Sequence, residues 1–378
     1  MKKQNRDVIC YHIMSDAIGK KACPEVNRRV CVAMSGGVDS SGAALLLKNE
    51  GYDVMGVFMK NWSDPAWPCP WAEDRADAMR VAVKLSIPFE TWDFTKEYKE
   101  KVVDYMTREY ALGRTPNPDV MCNREIKFGL FFNKAIELGF DYMATGHYVR
   151  KSAENKLLRA RYLEKDQSYF LWTLKQEQIS KSLFPIGEIE SKAEVRRLAA
   201  EFGLPTADKK DSQGICFMGP VDVAEFIKPY VKNATGDIVT TSGQKIGTHT
   251  GLDFFTIGQR KDIGVGGTGP YYVTNKNYEA NTLVVAPAAD QTLLESNSLV
   301  ATDVSFTSNN IEKTIVISRS FKIQASIRYR QEPVPATLTL LASDQWLVAF
   351  DKPVRAITPG QSVVFYDGEE MLGGGIIE

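Results

Sequence analysis

Hydrophobic and polar positions follow two rhythms along this chain. From residue 30 to about residue 203, short apolar runs alternate with stretches of helical period. Residues 30–34 (VCVAM) read as a buried strand, SGGVDS as a turn, and residues 40–50 as a helix stopped by Gly51. Residues 53–59 form a second strand and 72–85 a helix, with Met79, Ala82, Val83 and Leu85 on its apolar side. A third strand (89–94), helices over 96–112 and 123–138, a strand over 141–145 and a helix over 191–202 complete this half. Such alternation implies a doubly wound α/β parallel sheet, whose ligands sit at the carboxyl ends of the strands. Beyond about Gly236 the texture changes. Gly-rich turns separate β-branched and aromatic runs at 271–274, 282–285, 314–317, 338–341 and 363–366, which read as antiparallel strands of one or two barrels. The expected organisation is an extension over 1–29, a nucleotide-binding domain over 30–217, a small central β-rich domain over 218–298 and a C-terminal antiparallel β-barrel over 299–378.

Composition narrows the class. The 378 residues carry 46 Lys plus Arg against 47 Asp plus Glu, with 44% hydrophobic and 25% charged residues, the profile of an ordinary globular chain. No run approaches the ~18 apolar residues of a membrane span. Asp7, Asp16 and Glu25 argue against a mitochondrial transit peptide, so a cytoplasmic setting is expected. Six cysteines at 10, 23, 31, 69, 122 and 216 form neither a disulfide framework nor a C-x-x-C metal site. A net charge of −1 speaks against a polyanionic partner. Local charge qualifies that inference: between Glu312 and Glu332 the charged residues are Lys313, Arg319, Lys322, Arg328 and Arg330. Period-2 spacing in a strand would put Arg328 and Arg330 on one face with Tyr329 opposite, a surface suited to phosphates.

Chemistry concentrates in three places. Ser35-Gly-Gly-Val-Asp-Ser40 joins a strand to a helix, where backbone N–H groups and the helix end can hold phosphate. It lacks the lysine of a Walker A loop and resembles the PP-loop of ATP pyrophosphatases. Cys122 stands in the polar segment TPNPDVMCN just ahead of a helix whose dipole would favour a thiolate, and Cys216 stands in DSQGICF beside a hinge glycine. Cys31, by contrast, sits inside an apolar strand and reads as core. A literal G-x-G-x-x-G at Gly264, Gly266 and Gly269 follows no strand and opens no helix, so it fails as a dinucleotide fingerprint.

Nine ordered segments carry a closer resemblance: AMSGGVDS (33–40), FMKNW (58–62), TPNPDVMCN (115–123), TGHY (145–148), KDQSYFL (165–171), DSQGICF (211–217), TIGQR (256–260), IRYR (327–330) and PGQ (359–361). Together they resemble the tRNA-specific 2-thiouridylases, which put sulfur on the wobble uridine. The extension, the insert at 64–71 and Ala33 in place of Gly are departures. The resemblance implies ATP-dependent 2-thiolation at position 34, by adenylation of the 2-carbonyl oxygen and sulfur transfer from a persulfide, with release of AMP and pyrophosphate. Cys216 would carry the persulfide, Cys122 would be the nucleophile that closes a transient Cys122–Cys216 disulfide, and Asp119 is a candidate acid/base. Ala33, Met34, Ser35, Gly36, Gly37, Val38, Asp39, Ser40, Met59 and Gly146 would surround ATP. Mg²⁺ would come with the phosphates near Asp39, with no dedicated metal site. Asn117, Pro118 and Asp119 would meet the flipped base. His147, Lys165, Asp166, Gln167, Arg328, Tyr329 and Gln361 would contact tRNA.

The implied partners are lysine, glutamate and glutamine tRNAs and a cysteine desulfurase or sulfur relay, with no membrane and a monomeric chain. Two other classes remain open: another PP-loop ligase or amidotransferase, which needs no cysteine pair, and a non-catalytic, nucleotide-gated RNA-binding protein.

Overall fold

A computed structural model describes residues 28–64, 67, 71–210, 222–231, 234–266, 269–308, 313–314, 318, 320–342 and 344–378. Five parallel strands form the first sheet: β1 (Arg29–Met34), β2 (Asp53–Lys60), β3 (Phe89–Asp93) and β4 (Tyr142–Ala144), then, after a short hairpin β5 (Arg150–Lys151) and β6 (Leu157–Leu158), β7 (Ser182–Leu183). Their order is β3-β2-β1-β4-β7. Strand β1 is buried on both faces. Cys31 and Ala33 pack with Val57 and Met59 against the helical stretches 95–111 and 118–137, whereas Val30, Val32 and Met34 face α1 (Val38–Asn49), α2 (Trp71–Leu85) and the helix Lys192–Glu201. Ser191 caps that last helix by accepting from the Glu194 N–H at 3.2 Å. Burial pushes the Cys31 thiol well up from its usual range, consistent with a core cysteine.

Helix α2 buries only part of the face expected: Ala82 is buried and Leu85 packs on the core, but Met79 and Val83 are exposed. Ala78, Val81 and Ala82 point inward with Asp77, while Val83 is 73% exposed and Met79 also faces solvent. Small side chains let the helix lie close to the sheet, so size rather than hydrophobicity sets its phase. Asp77 is buried because Lys209 (2.5 Å) and Arg80 neutralise it. These partners hold its pKa below the usual carboxylate range, although burial opposes them as the largest influence.

The central domain has strands β8 (Gly236–Thr240), β9 (Lys245–His249), β10 (Tyr271–Asn277) and β11 (Thr282–Pro287) in the order β10-β11-β8-β9. Its middle pair, β11 and β8, runs parallel, which corrects the all-antiparallel expectation. Lys276 docks this domain on the first by donating to Gly113 O (2.6 Å), donates within its own domain to Phe255 O (3.1 Å), and is lowered in pKa to about 8 by burial.

The third unit is a barrel of β12 (Glu295–Phe306), β13 (Ser320–Ser326), β14 (Val334–Ala342), β15 (Gln345–Arg355), β16 (Ser362–Asp367) and β17 (Glu370–Ile377), closed by pairing of β12 with β17. It fastens to the first domain where β6 pairs with β17 and where Tyr169 Oη and Trp172 Nε1 donate to Ser362. The run 314–317 lies largely outside the described residues, as do the extension 1–27, most of the 64–71 insert and the Cys216 loop. Among the described residues, no helix is long and apolar enough to cross a membrane.

Candidate functional site

The loop after β1 is tied into a ring. Ser40 Oγ accepts from the Ser35 N–H at 3.1 Å and donates to Gly37 O at 3.2 Å, and Ser41 Oγ donates to the same carbonyl at 2.8 Å. Gly36 has φ +76°, and a Cβ there would lie 2.2 Å from Asp74 O, so only glycine fits. Gly146 closes the other side, since a Cβ on it would meet Ser40 N at 2.6 Å. The site residues Ala33, Met34, Gly36, Val38, Ser40 and Met59 are buried, Gly37 and Asp39 are half-buried, and Ser35 is exposed at the loop's mouth.

Asp39 heads α1. Its carboxylate accepts from Lys192 Nζ at 2.6 Å and from Tyr148 Oη at 2.9 Å. Sequence reasoning missed both partners, because Lys192 lies 153 residues away and nothing in its surroundings singles it out. Among the described residues no group of three or more His, Cys, Asp or Glu side chains comes together as a metal cage. One carboxylate with a lone pair left on each oxygen fits an ion that arrives bound to phosphates.

Asn117 caps the helix Pro118–Met121, its Oδ1 accepting from the Val120 N–H at 3.3 Å, with Pro118 in the first turn and Asp119 beside it. Helix therefore starts earlier than expected, and Cys122 lies within it. It is fully buried, where Pro118–Met121 passes into a wider, π-wound segment, Cys122–Phe131. The expectation of a polar loop ahead of a helix is corrected: a helix-end effect fades within the first turn. π-wound segments recur at functional sites. The Cys122–Cys216 pairing lies outside the described residues.

The segment Thr145–Tyr148 joins these two centres. Gly146 and Tyr148 touch the nucleotide loop, while the His147 ring lies 5.9 Å from the ring of Phe128, within the π-wound segment. His147 is 7% exposed, its Nδ1 is 2.7 Å from Thr145 Oγ1, and burial followed by repulsion from Lys127 holds its pKa well below the usual histidine value. It is a neutral imidazole at pH 7.

Of the expected RNA contacts, Asp166, Arg328 and Tyr329 lie near one another at the barrel's edge, whereas His147 is buried against Phe128. Arg328–Arg330 is a turn after β13, with Arg330 at φ +65°, so the strand with arginines on one face and Tyr329 on the other is corrected. Tyr329 stacks on Phe170 at 4.5 Å, and Phe170 O accepts from Asn123 Nδ2 at 3.4 Å, linking this turn to the residue after Cys122. Asp166 and Gln167 are turned inward. Asp166 accepts from Ala160 N, Ser168 N, Ser168 Oγ and Arg159, and Gln167 Oε1 accepts from the Tyr148 N–H, leaving Lys165 on the same loop. Gln361 Nε2 donates to Thr115 O (2.9 Å) and Pro116 O (3.0 Å), so the barrel grips the segment leading to Asn117. A third residue missed from sequence is Asn61, 1% exposed at the end of β2, whose amide has no hydrogen-bond partner among the described residues. Its signal was its place within FMKNW.

Family models match in chain order: a tRNA methyl transferase HUP domain over residues 28–220, a tRNA methyl transferase PRC-barrel domain over 224–287 and an aminomethyltransferase beta-barrel domain over 296–377. The tRNA-specific 2-thiouridylase MnmA 2 of Geobacillus kaustophilus (strain HTA426) is 49% identical over 356 residues, covering 93% of this chain and 94% of its own length. The chain belongs to the tRNA-specific 2-thiouridylases. A second 2-thiouridylase, MnmA of Staphylococcus carnosus (strain TM300), is 49% identical over 93% of this chain and 95% of its own. The family is one of tRNA sulfurtransferases, and this 2-thiouridylase chain keeps its three domains in order. Among solved structures, the U34-tRNA thiolase NcsA from Methanococcus maripaludis covers 56% of this chain and 65% of its own, at 18% identity and a TM-score of 0.36, too low to bear on function.

Proposed function

We propose that this chain thiolates the 2-position of the wobble uridine of tRNA. The uracil O2 attacks the α-phosphorus of ATP, pyrophosphate leaves, and C2 carries an adenylate. The terminal sulfur of a Cys216 persulfide attacks C2 and AMP departs with the oxygen. The Cys122 thiolate attacks Cys216 Sγ, the S–S bond breaks toward the transferred sulfur, and a Cys122–Cys216 disulfide remains for an external thiol to reduce.

In this reading Ser35 to Ser40 hold the phosphates, with Ala33, Met34, Met59 and Gly146 shaping the nucleotide pocket. Asp39 is kept oriented by Lys192 and Tyr148. Asp39 would face any Mg²⁺ that arrives with the triphosphate, an ion that would supply neutralisation of phosphate charge. Asn117, Pro118 and Asp119 receive the extruded base next to Cys122, with Asp119 as the acid/base. Neutral His147 spaces the two halves of the site. Lys165, Asp166, Gln167, Arg328, Tyr329 and Gln361 form the RNA-facing rim, where Asp166, Gln167 and Gln361 act by fixing the loops that carry their neighbours. Lysine, glutamate and glutamine tRNAs are the substrates, and a cysteine desulfurase or relay protein supplies the sulfur.

The observation that carries this reading is the Thr145–Tyr148 strip, which touches the nucleotide loop on one side and the Cys122 segment on the other. Its test is incubation of unmodified tRNA with protein, Mg-ATP and a persulfide donor, followed by nucleoside mass spectrometry. 2-Thiouridine at position 34, dependent on ATP and lost in Cys122→Ser, is the expected result. Full ATP turnover in Cys122→Ser would point to a PP-loop ligase, and RNA retention without pyrophosphate release to a binding protein.

A further inference from the structure

Residues 113–116 lead from the helix Asp104–Ala111 toward the helix Pro118–Met121, and this strap is held largely by the other two domains. The central domain takes one end. Lys276 Nζ donates to Gly113 O at 2.6 Å, and Thr256 Oγ1 lies 3.2 Å from Thr115 Oγ1. Tyr278 packs there so closely that a Cβ on Gly113 would lie 2.3 Å from its Oη. The barrel takes the other end: Pro359 O accepts from the Thr115 N–H at 2.9 Å, and Gln361 Nε2 donates to Thr115 O and Pro116 O. Thr358 Oγ1 donates to Ile257 O at 3.4 Å, which ties the two gripping loops to each other. The first domain itself holds the strap at Arg114, through Glu109. Strand β10 carries one extra residue between Val273 and Asn275, and such a bulge re-aims the side chains after it, Lys276 among them. Burial lowers the Lys276 pKa to about 8 against the pull of Asp253, and its ammonium is spent on two neutral carbonyls, Gly113 O and Phe255 O.

A short linker with no helix or strand of its own takes its course from whatever satisfies its backbone groups. This one leads directly to Asn117, whose Oδ1 caps Pro118–Met121 at the Val120 N–H, and so to Asp119 and Cys122. We propose that Lys276, with Thr256, is a positioning residue for sulfur transfer: the central domain holds the strap in place, and the strap sets where residues 117–119 and Cys122 stand. The chemistry in this claim rests on the proposed function, to which it adds a task for the central domain. A displacement of about 1 Å at a reacting group can cost about a hundredfold in rate, so a residue that acts only through the strap can set the rate.

The test compares the full chain as wild type, Lys276→Met, Lys276→Arg and Ile238→Ala, each well below its thermal midpoint. Ile238 is fully buried in the central domain's own core, so its truncation lowers the midpoint and leaves the strap's hydrogen bonds in place. In Lys276→Met the single-turnover rate of 2-thiouridine formation falls about tenfold, with KM for ATP and Kd for tRNA unchanged. Amide hydrogen exchange in the peptide covering 113–122 quickens about tenfold in the same variant. Arginine, which can donate to both carbonyls, restores most of the rate and of the protection. Ile238→Ala keeps the wild-type values of both. Unchanged exchange in Lys276→Met overturns the proposal whatever the rate, and so does an unchanged rate when wild type is active. An equal loss in Ile238→Ala makes the effect one of domain stability and also overturns it, as does a change in ATP KM or tRNA Kd that accounts for the whole loss. Exchange that quickens in Lys276→Met alone, with a wild-type chain that makes no 2-thiouridine, sinks the proposed function and leaves the anchoring of the strap standing.

Discussion

At the nucleotide loop, Asp39 meets Lys192 at 2.6 Å and Tyr148 at 2.9 Å, and Asp74 and Asp77 share Lys209. At the Arg328–Arg330 turn, three guanidiniums with Arg355 among them line one cavity, and none of its lining residues is acidic. The first region holds its shape with charges already satisfied, so a nucleotide meets a preorganised cradle and little has to move. The second gathers positive charge on an open face. That difference suits a catalyst that binds a small nucleotide by geometry and a large polyanion by neutralisation.

The comparison breaks most visibly at Cys122. Cys122→Ser should lower 2-thiouridine formation to below about one thousandth of wild type while leaving equilibrium ATP binding intact, as mass spectrometry and a nucleotide-binding assay would register. Loss of both would tie the thiol segment to the cradle's shape. Gly146→Ala comes next. Its Cβ would press on Ser40 N at 2.6 Å, whereas Gly266 has open space around it. Gly146→Ala should raise KM for ATP by about tenfold or more and cost about 1–3 kcal/mol, and Gly266→Ala should stay within about 0.5 kcal/mol. Equal effects in steady-state kinetics and thermal melts would remove the claim that the cradle is preformed.

Smaller effects sharpen the picture. His147 has a folded pKa below its unfolded value of about 6.5, so below that pH the unfolded chain takes up a proton that the folded chain refuses. Stability is thus fully present above about pH 6.5 and falls on acidification by up to about 1.4 kcal/mol per pH unit from this group. Denaturant melts between pH 7 and 5 should show a shallower decline in His147→Asn; an unchanged decline would place the acid sensitivity elsewhere. Tyr329→Ala removes the stack on Phe170, a loss of about 1 kcal/mol. It should weaken tRNA binding severalfold with ATP KM unchanged, and a change in ATP KM alone would reverse the division between the two regions.

Much of the cradle was legible because local backbone demands its residues. Gly36 sits at positive φ against Asp74, and the strand-turn-helix reading followed from six consecutive positions. The alternation of elements likewise announced the parallel sheet, and the β-branched runs announced the barrel. What stayed hidden depends on long-range packing. Lys192 reaches Asp39 across 153 residues, and α2 chose its alanines over Met79 and Val83 because close approach to the sheet outweighed their greasier surfaces. The Arg328–Arg330 turn looked like a strand because period-2 spacing carries no information about the left-handed φ of Arg330. The parallel pairing of β8 with β11 joins strands that are not sequence neighbours, which local turn signals do not report. Cys122 looked like a loop residue because its helix begins at Pro118, inside a segment dense in turn formers.

The most direct measurement is nucleoside mass spectrometry of unmodified tRNA after reaction with the wild-type chain, Mg-ATP and a persulfide donor. The account predicts 2-thiouridine at position 34 with one AMP released per sulfur transferred, and none without ATP. Unchanged uridine in the presence of an active donor and intact ATP would contradict it.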